Sequence, residues 1–161
     1  ASLHYQVAAL EGMAATLGLA LAYVKPHGAL YNDMMASTAV REAIMQAMAA
    51  YHRALPLMLQ ATPQADEHRR EASKLGISLL FEAVADRCYD DDGKLLSRRL
   101  PGAVHERHRM LAQVQQLREE GSVTTVGGST IQLQVDTLCV HGDNREGVEA
   151  IDAIRALVDG E

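Results

Sequence analysis

Residues 19–28 read Leu-Ala-Leu-Ala-Tyr-Val-Lys-Pro-His-Gly, and the fold class turns on them. The apolar run from Leu19 to Val24 is short and is followed by Pro26 and Gly28, which fits a buried strand better than a helix. His27 then lies just beyond the carboxyl end of that strand. Upstream, Leu3, Val7, Leu10, Ala14 and Leu17 recur on one face at helical spacing, with Gly18 available to end the helix, so the chain begins inside a helix. Downstream, Val40, Ile44, Met48 and Tyr51 predict a second helix, capped by Ser37 or Thr38. Leu55 to Leu59 is a second strand candidate, weakened by Pro56.

The rest of the chain repeats this alternation. Residues 64–75 are polar and charged on one side, start after Pro63, end at Gly76 and read as a solvent-facing helix. Ile77 to Val84 is the third strand. Asp90, Asp91, Asp92 and Gly93 form a turn, and Leu95 to Leu100 runs on as extended chain or loop. A long helix is expected from about Ala103 to Glu119, carrying Val104, Leu111, Val114 and Leu117. Ser122 to Gln134, with Gly127 and Gly128 in its middle, reads as a hairpin. Val135 to Val140 is the last strand, and Val148, Ile151, Ile154 and Val158 mark a final helix. Strand-then-helix order favours an α/β fold with parallel strands. Four main strands are too few to close an eight-stranded barrel, and the opening helix lacks the strand that should precede it. The expectation is therefore a single domain over residues 1–161 that forms the C-terminal part of a barrel.

Bulk properties narrow the function classes. At 161 residues and 48% hydrophobic, the chain can bury one core. Its net charge is −6 and its basic residues are scattered, so no stripe exists to neutralise a nucleic-acid backbone or an anionic membrane. No apolar run approaches the roughly 20 residues that span a bilayer, and the start lacks the pattern of a signal peptide. A soluble, unexported, cytoplasmic protein is expected. Cys88 and Cys139 lack C-x-x-C spacing, and neither a disulfide nor a sulfur-based zinc site is expected.

The conspicuous polar residues gather at carboxyl ends of the expected strands. Lys25 and His27 end the first, Glu82, Asp86 and Arg87 the third, and His141 and Asp143 the last. In parallel α/β folds the loops at that edge converge, because each strand projects side chains into a shared mouth. Two histidines with several carboxylates there could run acid/base chemistry on an amide, or could bind a divalent metal that activates water. Spacing alone does not separate the two. Lys25 and Arg87 read equally as partners for a substrate carboxylate or as structural ion pairs. Asp90 to Asp92 lacks the spaced ligands of an EF-hand and reads as a solvated turn. Gly127-Gly128 is no phosphate loop, since no G-K-[ST] follows. His4, His52, His68, His105 and His108 are expected at helices or their ends in surface or interface roles. Cys139, inside an apolar strand, is read as packing.

Those same residues carry a family resemblance. Val24-Lys25-Pro26-His27-Gly28-Ala29-Leu30-Tyr31-Asn32 matches the VKPHGALYN signature of the LamB/YcsF family without a substitution. In the right order follow Glu82-Ala83-Val84-Ala85-Asp86-Arg87-Cys88-Tyr89 with Asp92-Gly93, similar to E-x-F-A-D-R-x-Y-x-x-D-G, and Cys139-Val140-His141-Gly142-Asp143, similar to C-V-H-G-D. Val84 stands where the second block usually has phenylalanine, a change that removes no reactive group. The resemblance covers the chain from end to end and lacks the family's N-terminal third, with its D-L-N-x-D-L-G-E start, C-G-F-H-A-G-D block and G-A-H-P segment. It implies an irregular (β/α) TIM-like barrel related to the deacetylase and glycoside hydrolase barrels. It also implies 5-oxoprolinase activity, the ATP-coupled cleavage of the lactam of 5-oxo-L-proline to L-glutamate, carried out with subunits B and C and with ATP as co-substrate.

Carried over position by position, the resemblance makes His27, Glu82, Asp86, His141 and Asp143 candidate catalytic residues, and Lys25, Tyr31, Asn32 and Arg87 candidate substrate-binding residues. Two alternatives stay open: a metal-dependent, deacetylase-like amidohydrolase acting on an N-acyl substrate, and a non-catalytic member of the complex.

Overall fold

The computed structural model describes residues 2–160. Three strands, β1 (Leu57–Gln60), β2 (Leu79–Val84) and β5 (Thr137–Cys139), form an open sheet in the order β1-β2-β5. A separate antiparallel pair is made by β3 (Ser122–Thr124) and β4 (Thr130–Gln132). The residues group into two compact units: one runs through Leu59 and takes in Asp66–Leu80, the other takes in Gln60–Ala65 and continues from Phe81.

In the first unit, α1 (Ser2–Thr16) ends as expected before Gly18, which adopts φ 68°. A second helix, α2 (Ala29–Ala36), was not anticipated by the periodicity and starts directly after Gly28. Ser37 then caps α3 (Thr38–Ala49), its hydroxyl accepting the Val40 N–H at 3.4 Å. Helix α3 buries Ile44, Met45 and Met48. It also buries Arg41, whose guanidinium donates to both Glu71 oxygens, at 2.7 and 3.0 Å, and to the Met34 carbonyl at 3.1 Å. A buried cation persists only with such a set of acceptors. The Arg41 hydrogen bonds in turn hold the Glu71 carboxyl below the usual range.

The expected strand over Leu19 to Val24 is corrected. Only Val24 bridges β1, opposite Leu57, giving its N–H to the Pro56 carbonyl and accepting from the Met58 N–H, both at 2.9 Å. Pro56 has no N–H to return, so the ladder does not extend there, and Leu19 stays 63% exposed.

In the second unit, β2 pairs with β5 in parallel, with Glu82 opposite Thr137, Ala83 opposite Leu138 and Val84 opposite Cys139. Ala85, Met110, Val114, Ala150 and Ile154 form its core, with Leu111, Leu138, Val140 and Leu157 packed around them. Helix α5 (Arg107–Glu120), which follows α4 (Ala65–Ser73) in chain order, starts later than its apolar pattern predicted. The residues before it are tied elsewhere: Ala103 O accepts from Cys88 N–H at 3.0 Å, Val104 bridges Arg87, and His105 N–H donates to Asp86 O at 2.9 Å. Gly121, in the left-handed region at φ 65°, closes α5. The β3–β4 hairpin has the expected form. The Asp90–Gly93 turn is also as expected, with the Asp90 carboxylate accepting from the N–H groups of Asp92 and Lys94 at 3.0 and 2.8 Å. The single final helix becomes two, α6 (Arg145–Glu149) and α7 (Ile151–Asp159), which meet at the buried Ala150. Among the described residues no helix is long and apolar enough to cross a membrane.

Candidate functional site

Because β2 and β5 run parallel and adjacent, their carboxyl ends deliver Asp86 and His141 to the same place. His141 Nδ1 lies 2.8 Å from Asp86 Oδ1. Asn144 Nδ2 donates to Asp86 Oδ2 at 3.3 Å, while its Oδ1 accepts the Gly147 N–H at 3.3 Å as the N-cap of α6. Asp86 is 1% exposed, and the His141 side chain 30%. A buried carboxylate requires partners on both oxygens, and here it has them. An acceptor on Nδ1 fixes the imidazole tautomer with its proton on Nδ1, leaving Nε2 as the basic nitrogen. The arrangement is a buried acid that orients a half-exposed base, which can take a proton, be stabilised as an imidazolium, and return the proton.

The other expected residues of this unit are held differently. Asp143 is exposed and ion-paired with Arg98, whose hydrogen bond keeps its carboxyl below the usual range. Arg87 is buried and donates to the Leu96 carbonyl; its Nε has no partner among the described residues, and desolvation lowers its proton affinity. Glu82 is buried in β2, where its main-chain carbonyl accepts the Ala61 N–H at 2.8 Å.

Four expected residues belong to the first unit. Gly28, at φ 62° and ψ −134°, turns the chain from the extended Val24–Pro26 stretch into α2, a backbone state that L-residues reach only with strain. His27 is exposed on this turn. Lys25 Nζ lies 5.9 Å from the ring centroid of the buried Tyr31, within reach of a cation–π attraction. Asn32 is exposed on α2, its N–H bonded to Gly28 O at 3.3 Å.

Sequence reasoning missed Asn144 and Arg98. Asn144 carried a signal, since an Asn just before a helical run is a cap candidate; Arg98 sits in a loop without one. Of the isolated histidines, expected in surface or interface roles, His4 is half-buried with its Nε2 2.5 Å from the Ala47 carbonyl, and two others are drawn in as well. His68 is buried, and His105 is half-buried with its Nε2 against Gln113 Oε1 at 3.2 Å. Among the described residues no group of three His, Cys, Asp or Glu is placed to hold a metal ion. Asp143 is turned to Arg98, and the Asp86 contact on His141 Nδ1 leaves Nε2 as that ring's one nitrogen open to a ligand or proton.

Helices packed with a parallel sheet, and an acid–histidine pair at its carboxyl edge, define an α/β protein of the kind that places polar sites beyond strand ends. The LamB/YcsF family model matches residues 1–161. The chain belongs to the LamB/YcsF family. It is 47% identical over 154 residues to the 5-oxoprolinase A subunit of Pseudomonas fluorescens, covering 95% of this chain and 62% of that protein. To the protein of the same name from Chromohalobacter salexigens it is 48% identical over 157 residues, covering 97% of this chain and 63% of the other. The crystal structure of the lactam utilization protein from Thermus thermophilus superimposes with a TM-score of 0.82 at 30% identity, over 98% of this chain and 62% of that one. The chain thus spans somewhat under two thirds of the length of these relatives.

Proposed function

We propose that this chain acts as part of the A component of an ATP-dependent 5-oxoprolinase, opening the lactam of 5-oxo-L-proline to L-glutamate in the cytoplasm with subunits B and C. The observation that carries the reading is the Asp86–His141 pair at 2.8 Å, and the names of the relatives support it. A five-membered lactam is a stable amide, and phosphorylation of its oxygen by ATP would supply a leaving group. Water adds to the phosphorylated ring carbon as His141 takes its proton, and His141 returns that proton to the ring nitrogen as the C–N bond breaks, with Asp86 stabilising the imidazolium between the two transfers; the acyl phosphate so formed gives up its phosphate to a second water, leaving L-glutamate. We assign His27, Glu82 and Asp143 to further proton handling and charge stabilisation. Lys25, Tyr31, Asn32 and Arg87 are assigned to binding the substrate. We read the open sheet as part of an irregular (β/α) TIM-like barrel, a reading supported by the parallel β2–β5 pairing and by the share of the relatives' length that the chain spans.

The test is glutamate release from 5-oxoproline and ATP by the full-length gene product mixed with subunits B and C. His141→Ala and His27→Ala are expected each to lower turnover about 100-fold or more. Undiminished release by a folded His141→Ala variant would remove the pair from the chemistry. A wild-type complex that releases no glutamate would remove the substrate.

A further inference from the structure

Cys88 lies just past β2; its thiol donates to the Gly102 carbonyl at 3.0 Å, and its Sγ is 3.7 Å from His105 Nδ1. The other ring nitrogen of His105, Nε2, is 3.2 Å from Gln113 Oε1. The orientation of that glutamine is fixed, because its Nε2 donates to the carbonyls of Val84, Ala85 and Arg87, each at 3.0 Å. The amide oxygen therefore faces His105, and an oxygen can only accept. His105 must carry its proton on Nε2, which leaves the Nδ1 lone pair facing the thiol. Cys88, His105 and Gln113 share a cavity of about 480 Å³ with Arg109, Thr125 and Val126. Although Cys88 is only 8% exposed, it lines that cavity.

We propose that Cys88 is a second reactive site of this chain, a thiol that His105 deprotonates and that exchanges with a small disulfide whose anionic group pairs with Arg109. The Cys88 proton turns from the Gly102 carbonyl to His105 Nδ1, and the sulfur attacks one sulfur of the disulfide. A new S–S bond forms as the old one breaks, and the departing thiolate takes the proton from His105. The products are a mixed disulfide at Cys88 and one free thiol. Burial raises the Cys88 thiol against the opposing charges of Arg109 and Arg87. Burial also lowers His105, with Arg109 and His108 acting in the same sense and Gln113 and Asp86 against it. Both groups are thus neutral at rest, and the proton moves at the moment of attack. The site is independent of the lactam reading. It is nonetheless joined to Asp86, because the 102–105 segment that flanks the thiol also gives the His105 N–H to the Asp86 carbonyl.

The sequence has two cysteines, so Cys139→Ala leaves Cys88 as the sole thiol. Reaction with dianionic dithionitrobenzoate is followed by its released chromophore, beside the Cys88→Ala chain that retains the more exposed Cys139. Cys88 is expected to react about tenfold faster than Cys139, and His105→Gln to slow it about tenfold. Arg109→Gln, a change on an exposed residue, is expected to slow dithionitrobenzoate and leave neutral dithiodipyridine unaffected. A Cys88 no faster than Cys139, or a rate unchanged in His105→Gln with its circular dichroism intact, overturns the proposal. Equal slowing of both reagents by Arg109→Gln, or of neither, overturns the anionic subsite.

Discussion

Asp86 is enclosed, and its two carboxylate oxygens answer to different partners, His141 on one and Asn144 on the other. An Asp86→Asn change would place an N–H₂ where one of those donors needs an acceptor. If it turns toward Oδ1 it favours the wrong imidazole tautomer, and turnover of 5-oxoproline is expected to fall about 100-fold or more with KM little changed. Steady-state kinetics of glutamate release decide this, and a kcat within twofold of wild type would contradict it. The residues of the pair are legible in the sequence, since each follows an apolar run that ends at a strand's carboxyl edge. Their convergence on one edge is legible too, but not their direct pairing. It depends on β2 and β5 being neighbours in the sheet, a long-range pairing that no local pattern encodes. Asn144 is hidden for another reason: its capping role is local and readable, whereas its second bond, to Asp86, spans the fold.

At the scale of elements, the structure departs from sequence periodicity where competing hydrogen bonds outweigh helix or strand propensity. Val104 continues the apolar repeat of α5, yet it bridges Arg87 between two residues that bond Cys88 and Asp86. The run from Leu19 to Val24 has strand composition, but Pro56 denies it a ladder. The hairpin and the Asp90–Gly93 turn were readable because glycine and aspartate act through adjacent backbone. Gly28 offers a direct check, since a Cβ there meets nothing within 4 Å among the described residues and the cost is backbone strain. Gly28→Ala is expected to destabilise the fold by about 1–3 kcal/mol, measured by urea denaturation; no change would mean that the turn relaxes freely. Helix α5 supplies a second check through Gln113. Gln113→Leu leaves the Val84, Ala85 and Arg87 carbonyls without this donor, and a loss of about 2 kcal/mol or more is expected by the same measurement.

Across the whole molecule, stability should depend on pH through histidines that the fold keeps neutral. Burial, aided by the charge of Arg41, lowers His68, and burial lowers His105 in the other unit. The unfolded chain takes up these protons near the ordinary histidine value of about 6.5, where the folded chain does not. Below that value the unfolded state binds more protons, so stability falls as pH drops from about 7 to about 5. The carboxyl of Glu71, held low by Arg41, adds its own loss only under more acidic conditions. Urea midpoints at the two pH values are expected to show this fall, and a His68→Gln variant a shallower one; parallel curves would assign the dependence elsewhere. Gln113 has a reach larger than its size. One end of its amide fastens the carbonyls on either side of Asp86, and the other sets which nitrogen of His105 is basic. Variation at that position is therefore pleiotropic: a change there that retunes the thiol also loosens the mount of the acid–histidine pair.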